Sequence, residues 1–286
     1  AANYPFCTIE PNKASVPMTD RRLEKLAEIA KSEKIIHATV DFIDIAGLVR
    51  GASKGEGLGN KFLANIRESD AIIEVVRCFD DDDVVHVEGG IDPIRDIEII
   101  ETELLLADIQ SLEKRLDRIG RQARADKDLR KEVESMELLM KHLSDGAPAR
   151  TFPRGDGDAI LSTFTELQFL TDKPVIYCAN TGEENLSKDN NHITRVREYA
   201  ARKGCDVVVI CARMEAELAG LSDEEREDFL KSYGVAEGGL DVTIRMAYHT
   251  LGLLSYFTAG PKEARAWTIH RGWTAPKAAG VIHSDF

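Results

Sequence analysis

Thr39-Val40-Asp41-Phe42-Ile43-Asp44-Ile45-Ala46-Gly47-Leu48 is the stretch on which the reading of the fold turns. It reads as a buried β-strand that ends in Asp-x-x-Gly and runs into a glycine-rich loop. A carboxylate at the C-terminal end of a strand can reach Mg²⁺ through water. A glycine just beyond it offers a backbone N–H that no Cβ shields from a terminal phosphate. Asp44 is therefore a candidate metal-holding residue and Gly47 a candidate phosphate contact. Strand-end Asp and turn Gly are common, and a plain strand-to-turn reading serves these residues equally well until other motifs join them.

Working outward, three more short β-branched runs stand out, at Ala71 to Arg77, Pro174 to Ala179 and Val207 to Cys211. Like Thr39 to Ile45, they are nearly continuous in apolar residues, as expected of strands buried on both faces of a parallel sheet. A helical stretch, Leu58 to Ser69, follows the first run, and another, Asn191 to Lys203, leads into the last. Strand–helix alternation predicts an open α/β sheet, in which ligands bind beyond the C-terminal strand ends. Asp44, Asn180 and Cys211 all fall at such ends.

The middle of the chain has a different period. Leu105, Ile109, Leu112, Leu116 and Ile119 follow a heptad spacing, and Leu129, Val133, Met136, Met140 and Leu143 repeat it after a polar break. Two such stripes suggest an antiparallel coiled-coil hairpin, reaching roughly 30 Å at about 1.5 Å per residue. Helices that pack on the sheet are the other reading of the same stripes. Gly146 to Asp158 reads as a loop. Near the end, Arg265 to His270 alternates like a half-buried strand, Arg271-Gly272 reads as a turn, and Ala275 to Ala279 can open a helix with Pro276 in its first turn.

The 286 residues suffice for one large domain or two modest ones. A net charge of −13 disfavours broad coating of nucleic acid and gives no reason to expect specific DNA binding. A local basic cluster of Lys262, Arg265, Arg271 and Lys277 remains compatible with it. The five scattered cysteines contain no C-x-x-C pair, which fits a reduced, cytoplasmic protein without a zinc site. No apolar run has the length of a membrane span and no stretch reads as a signal peptide.

Asn180-Thr181-Gly182-Glu183 follows the strand that ends at Ala179. GTPases hold Asn-Lys-x-Asp at this place, where the Asp carboxylate accepts N1–H and N2–H of guanine and the Asn bridges loops under the base. Thr181 here replaces the Lys and Glu183 the Asp. A longer carboxylate cannot put its oxygens at the same points, so guanine selectivity should weaken and adenine becomes plausible. Taken alone, Asn-x-x-Glu is equally a strand and a polar loop. Thr8, in Pro5 to Pro11, can give a hydroxyl to Mg²⁺ or be an ordinary loop residue. Leu48 stands where Ras-type enzymes carry a water-orienting Gln, and it can neither donate nor accept a hydrogen bond. His86, after Asp80 to Asp83 and before Gly89-Gly90, is the candidate to hold the water, unless it is simply a surface histidine beside acids. No G-x-x-x-x-G-K-[ST] occurs. The run Gly51 to Lys61 suits a phosphate-responsive loop, a linker or a dinucleotide turn.

Taken together, these residues resemble the YchF or Obg-like ATPases, a translation-factor-class branch of the P-loop GTPases. The likeness is carried by Asn3 to Asn12, Asp44 to Val49, Gly55 to Leu63, Phe257 to Gly260, Arg265 to Thr268 and Thr274 to Ala279, and runs along essentially the whole chain in order. It implies an α/β, P-loop GTPase-like, mostly parallel sheet interrupted by a coiled-coil hairpin and followed by a β-grasp TGS module. The divisions implied are 1–94 and 166–250 for the nucleotide domain, 95–165 for the arm and 251–286 for the start of the TGS module. It implies Thr8 and Asp44 as magnesium positions, Gly47 at the γ-phosphate, His86 as the catalytic histidine, and Asn180, Thr181 and Glu183 around adenine. Cys211 and Ala212 would back the base, and Thr181 would contribute mainly its backbone.

The resemblance also implies ATP as substrate in preference to GTP, Mg²⁺ as cofactor, the ribosome as partner, a role in translation or stress responses, and a monomer in the cytoplasm. The family's P-loop would precede Ala1 and most of its TGS module would follow Phe286, so the expectation for this chain is weak ATP binding and little hydrolysis. A nucleotide-gated ribosome-binding regulator without turnover is the rival reading. A dehydrogenase of Rossmann type would need an acidic residue for the ribose, for which there is no clear signal.

Overall fold

The computed structural model describes residues 12–45, 58–81, 90–120, 122–124, 126–283 and 285. In chain order the strands are β1 (Asn12–Met18), β2 (Ile35–Ile36), β3 (Ala38–Asp44), β4 (Ile72–Arg77), β5 (Val175–Asn180), β6 (Asp206–Ile210), β7 (Leu253–Ala259) and β8 (Ala264–His270). The helices are α1 (Arg21–Ala30), α2 (Leu58–Glu68), α3 (Pro93–Ile119), α4 (Lys127–Ser144), α5 (Leu161–Leu167), α6 (Asn191–Lys203), α7 (Ala212–Leu218), α8 (Asp223–Ser232), α9 (Gly239–Thr250) and α10 (Ala275–Ala279). Two compact units emerge, one from Ile45–Val76 with Asp80–Val175, the other from Asn12–Asp44, Arg77–Phe79 and Ile176–Phe286.

The first unit is mainly helical. Asp92 starts α3 by accepting the N–H groups of Ile94 and Arg95 at 3.3 and 3.4 Å, and Pro93 occupies the first turn, where a missing N–H loses no bond. The heptad stripes meet as their spacing predicts, Leu112 and Ile119 of α3 sharing a buried cluster with Met136 and Leu143 of α4, and Leu139, which the stripe leaves out, is buried beside them. The same cluster takes in Ile160, Phe164 and Phe169, the two phenylalanines edge-to-face at 5.0 Å. A third element thus closes the seam between the helices. Further toward its start, α3 packs Leu104 and Ala107 with Leu63 and Ile66 of α2 and with Leu170. The segment expected as a loop after α4 holds a single 3-10 turn, Ala149–Thr151.

A buried charge network joins three helices of this unit. Arg115 of α3 meets Glu132 of α4 at 2.6 Å and also pairs with Glu166 of α5. Ser162 and Thr163 donate to the same Glu132 oxygen at 2.6 and 2.8 Å. Burial pushes the Glu132 carboxyl up, but these donors and Arg115 outweigh it and hold it below its ordinary value. Asp108, also on α3, accepts the N–H groups of Leu170 and Thr171 and the Thr171 hydroxyl, at 2.7 to 2.8 Å. It ties the helix to the turn that leads into β5.

In the second unit, β1 and β3 form an antiparallel pair in register from Asn12↔Asp44 to Met18↔Ala38. This corrects the expectation that the strand before Asp44 lies buried on both faces among parallel neighbours. Its burial alternates: Ala38 and Val40 pack on Ile244 and Tyr248 of α9, while Thr39, Asp41 and Asp44 are exposed. Thr39 and Asp41 interrupt the apolar run at every second position, which is what a strand with one wet face requires. Asp41 spends its charge across the pair, 2.5 Å from the Ser15 hydroxyl and 2.8 Å from Lys13 Nζ.

β5 and β6 pair in parallel, from Ile176↔Asp206 to Asn180↔Ile210, and β5 is buried as far as Ala179. Their apolar face receives α6 through Ile193, Val196 and Tyr199, the last edge-on to Tyr177 at 6.0 Å. α6 is capped by the Asn190 side chain and ends at Gly204, whose φ of 66° suits glycine. β7 and β8 form an antiparallel pair extended by β2, and Leu23 and Ala27 of α1 cover Ala264 of β8. Among the described residues no helix is long and apolar enough to cross a membrane.

Candidate functional site

Parallel strands in register bring their C-terminal ends to one place, and that register is what assembles the site. Because Asn180 is level with Ile210, the turns after both strands leave side by side. Thr181 N–H donates to the Ile210 carbonyl at 2.8 Å, and Ala212 N–H donates to Asn180 Oδ1 at 3.0 Å. The Asn180 side chain thereby joins the two loops and leaves its amide nitrogen outside that bond. A third segment, Arg77–Phe79, joins on the other side. Cys78 N–H donates to the Asn180 carbonyl at 2.7 Å, and the Cys78 carbonyl accepts from Asn190 Nδ2 at 2.8 Å and from the Thr181 hydroxyl at 3.4 Å.

Thr181 is 3% exposed, so its side chain faces inward and only its backbone borders the loop. Glu183 lies at the start of a 3-10 turn, Glu183–Asn185, and keeps 29% of its side chain exposed. The Tyr233 hydroxyl donates to Glu183 Oε2 at 2.9 Å, while Arg213 Nε stays 3.9 Å from Oε1. Accepting that bond, the nearby carboxylate holds the Tyr233 phenol above its ordinary value. Cys211 precedes α7 and is buried with Met214, Leu218 and Leu230. Burial pushes its thiol up, which makes it an apolar wall and not a nucleophile.

The structure thus brings together Asn180, Thr181, Glu183, Cys211 and Ala212. Asp44 is exposed at the end of β3, in a different sheet. Thr8, Gly47, Leu48 and His86 lie outside the described residues. Among the described residues no group of three or more His, Cys, Asp or Glu side chains is arranged to hold a metal. An exposed strand-end carboxylate such as Asp44 is nonetheless the hard oxygen donor that Mg²⁺ takes, directly or through water, alongside phosphate oxygens.

Sequence reasoning missed Tyr233 and Asn190. Asn190 carries a signal, since an Asn just before a helical run is a capping residue, although its second bond, to Cys78, is tertiary. Tyr233 carries none: it lies 50 residues beyond Glu183, and only the end of α8 brings it there. That end is local chemistry. Gly234 takes φ 69°, and Val235 N–H returns to the Leu230 carbonyl at 3.0 Å, reversing the chain and leaving Tyr233 against Phe229.

Comparison with known proteins supports a close kinship. A family model described as "50S ribosome-binding GTPase" matches residues 1–115, and the model YchF-GTPase_C, described as "Protein of unknown function", matches residues 253–286. The chain is 53% identical over 287 residues to the ribosome-binding ATPase YchF of Haemophilus influenzae, taking in 100% of this chain and 78% of that protein. The protein of the same name from Bacillus subtilis is 47% identical over 289 residues, with the same coverage of 100% and 78%. The solved structure of the Schizosaccharomyces pombe YchF GTPase has a TM-score of 0.84 and 36% identity, over 99% of this chain and 77% of its own.

Proposed function

The chain belongs to the YchF family, within the GTPase superfamily, and from that premise we propose that it is a cytoplasmic, monomeric, ribosome-associated hydrolase that prefers ATP to GTP and works with Mg²⁺. The observation that carries the reading is the Asn180–Ala212 bridge beneath an outward-facing Glu183, at the aligned ends of two parallel strands. This is where an α/β sheet receives a ligand, and a Glu in place of Asp disfavours the guanine fork. On this reading Asn180, the Thr181 backbone and Glu183 surround the base, and Cys211 and Ala212 back it.

Asp44 and Thr8 would hold Mg²⁺, Gly47 would meet the terminal phosphate, and His86 would hold the attacking water in the place that Leu48 vacates. Bound there, Mg²⁺ would supply neutralisation of charge on the phosphate oxygens. Residues 1–94 and 166–250 then serve as the nucleotide domain, 95–165 as the arm and 251–286 as the start of a TGS module. Arm and module would carry the nucleotide state to the ribosome.

Two variants, each made in a protein that carries a G-x-x-x-x-G-K-[ST] phosphate loop, test it. Thr181→Lys with Glu183→Asp should move competition binding towards GTP, and an unmoved preference would refute the base assignment. His86→Ala should abolish hydrolysis while ATP binding persists. Unchanged turnover would remove His86 from the mechanism.

A further inference from the structure

Glu183 is held by one oxygen. Tyr233 donates to Oε2 at 2.9 Å, and Oε1 has no partner closer than Arg213 Nε at 3.9 Å, itself an exposed side chain 3.8 Å from Glu217. The edge of guanine presents N1–H and N2–H, which a carboxylate meets by turning both oxygens to the base. Adenine has a lone pair at N1, which a freely turning carboxylate repels. A carboxylate pinned through one oxygen can neither fork onto guanine nor swing fully against adenine N1. We infer that Tyr233 is a specificity-determining residue, whose hydroxyl fixes the Glu183 carboxylate so that the site rejects guanine and admits adenine.

The tyrosine is built for that position. It ends α8, is turned by Gly234, and is half-buried among Leu186, Phe229 and Val235, the apolar cluster that also holds Cys211. Its ring is therefore fixed by packing, and its hydroxyl is the part that reaches the base loop. Tyr233→Phe keeps the ring and removes only the bond. The inference rests on the reading of Asn180 to Glu183 as the base loop, so the experiment separates the two.

In a protein that carries this chain together with a G-x-x-x-x-G-K-[ST] phosphate loop, the affinities for ATP and GTP are measured by competition against a fluorescent ATP analogue, for wild type, Tyr233→Phe, Glu183→Gln and the double variant. Tyr233→Phe should lower the ATP:GTP preference about tenfold, the scale of a hydrogen bond to a charged group. It should leave the unfolding temperature nearly unchanged, and its effect on the preference should shrink once Glu183→Gln removes the charge that Tyr233 orients, although an acceptor oxygen survives. An unchanged ratio in Tyr233→Phe, with a ratio that does move in Glu183→Gln, overturns the role of Tyr233 and keeps the base loop. An equal loss for both nucleotides in Tyr233→Phe makes the tyrosine merely structural and also overturns the role. Binding of neither nucleotide by wild type, or affinities indifferent to Glu183→Gln and Asn180→Ala alike, overturns the base-loop reading itself.

Discussion

Glu132 in the helical unit and Glu183 at the strand ends are both carboxylates met by a residue from a distant helix, yet their surroundings differ. Glu132 is 11% exposed in its side chain and is met by Arg115, Ser162 and Thr163. Glu183 is 29% exposed and accepts one hydrogen bond, from Tyr233. The first is buried and takes an arginine and two hydroxyl groups on one oxygen, so it orders three helices. The second has only Arg213 Nε, at 3.9 Å, near its other oxygen, which leaves that oxygen open to a ligand. A buried carboxylate crowded by three protein donors reads as architecture, and a more exposed one with a single donor at aligned strand ends reads as a candidate site.

Three experiments would break or sharpen this contrast. The largest effect is expected from Glu132→Ala, which strands the buried Arg115 with Glu166 and removes the acceptor of two hydroxyl groups. Unfolding in urea should show a loss of about 4 kcal/mol, while the ATP:GTP preference stays put. A loss under about 1 kcal/mol would place Glu132 and Glu183 in the same class.

Asp108 gives the next effect and depends on pH. Burial raises its carboxyl from 3.8 to about 6, against the hydrogen bonds from Thr171 and Leu170 that pull it down. The folded chain therefore holds this proton more tightly than the unfolded one. The stabilisation is complete below the unfolded value and is lost as pH rises through the folded one. Between about pH 4 and pH 6 the wild type should lose up to about 3 kcal/mol relative to Asp108→Asn, measured by denaturant unfolding across that range. A flat difference would show that the three hydrogen bonds cancel the effect of burial at Asp108, and a gain with rising pH would show that they dominate, as the donors do at Glu132.

The smallest effect belongs to Glu183→Gln. An acceptor oxygen for Tyr233 survives, so thermal unfolding should register a loss of about 1 kcal/mol or less. A loss as large as that of Glu132→Ala would make Glu183 a structural residue and remove the basis of the contrast.

Much of this was legible beforehand. The continuous apolar run before Asn180 marked β5, and Asn190 and Gly204 bracket α6 with standard capping chemistry. The 4-3-4-3 spacing found the partners of the α3–α4 seam, because heptad periodicity depends only on helix geometry. It did not find the third element at the seam, since the pattern is silent about what fills the groove between two helices. The strand before Asp44 was located but misjudged in its surroundings: β1, Asn-Lys-Ala-Ser-Val-Pro-Met, has too few β-branched residues to announce itself as a partner. In the candidate site, Asn180, Thr181 and Glu183 were named from a local motif and Cys211 from its strand end, Ala212 came from the family resemblance, and Tyr233 was not named at all.

The sequence by itself determined where the apolar strands before Asn180 and Cys211 and the long helices of the middle lie, which loop ends carry polar groups, and the kinship that the comparisons bear out. These are properties of period, capping and turn chemistry, which act over a few residues and are written in consecutive letters. Tertiary structure alone decided that β3 pairs antiparallel with β1, that Thr181 turns its hydroxyl inward to Cys78, and that a tyrosine 50 residues downstream holds Glu183. Each of these depends on which surfaces meet when the chain closes, and a hydrogen bond forms only where two groups come within about 3 Å in the right direction. Nothing in either local segment specifies that meeting.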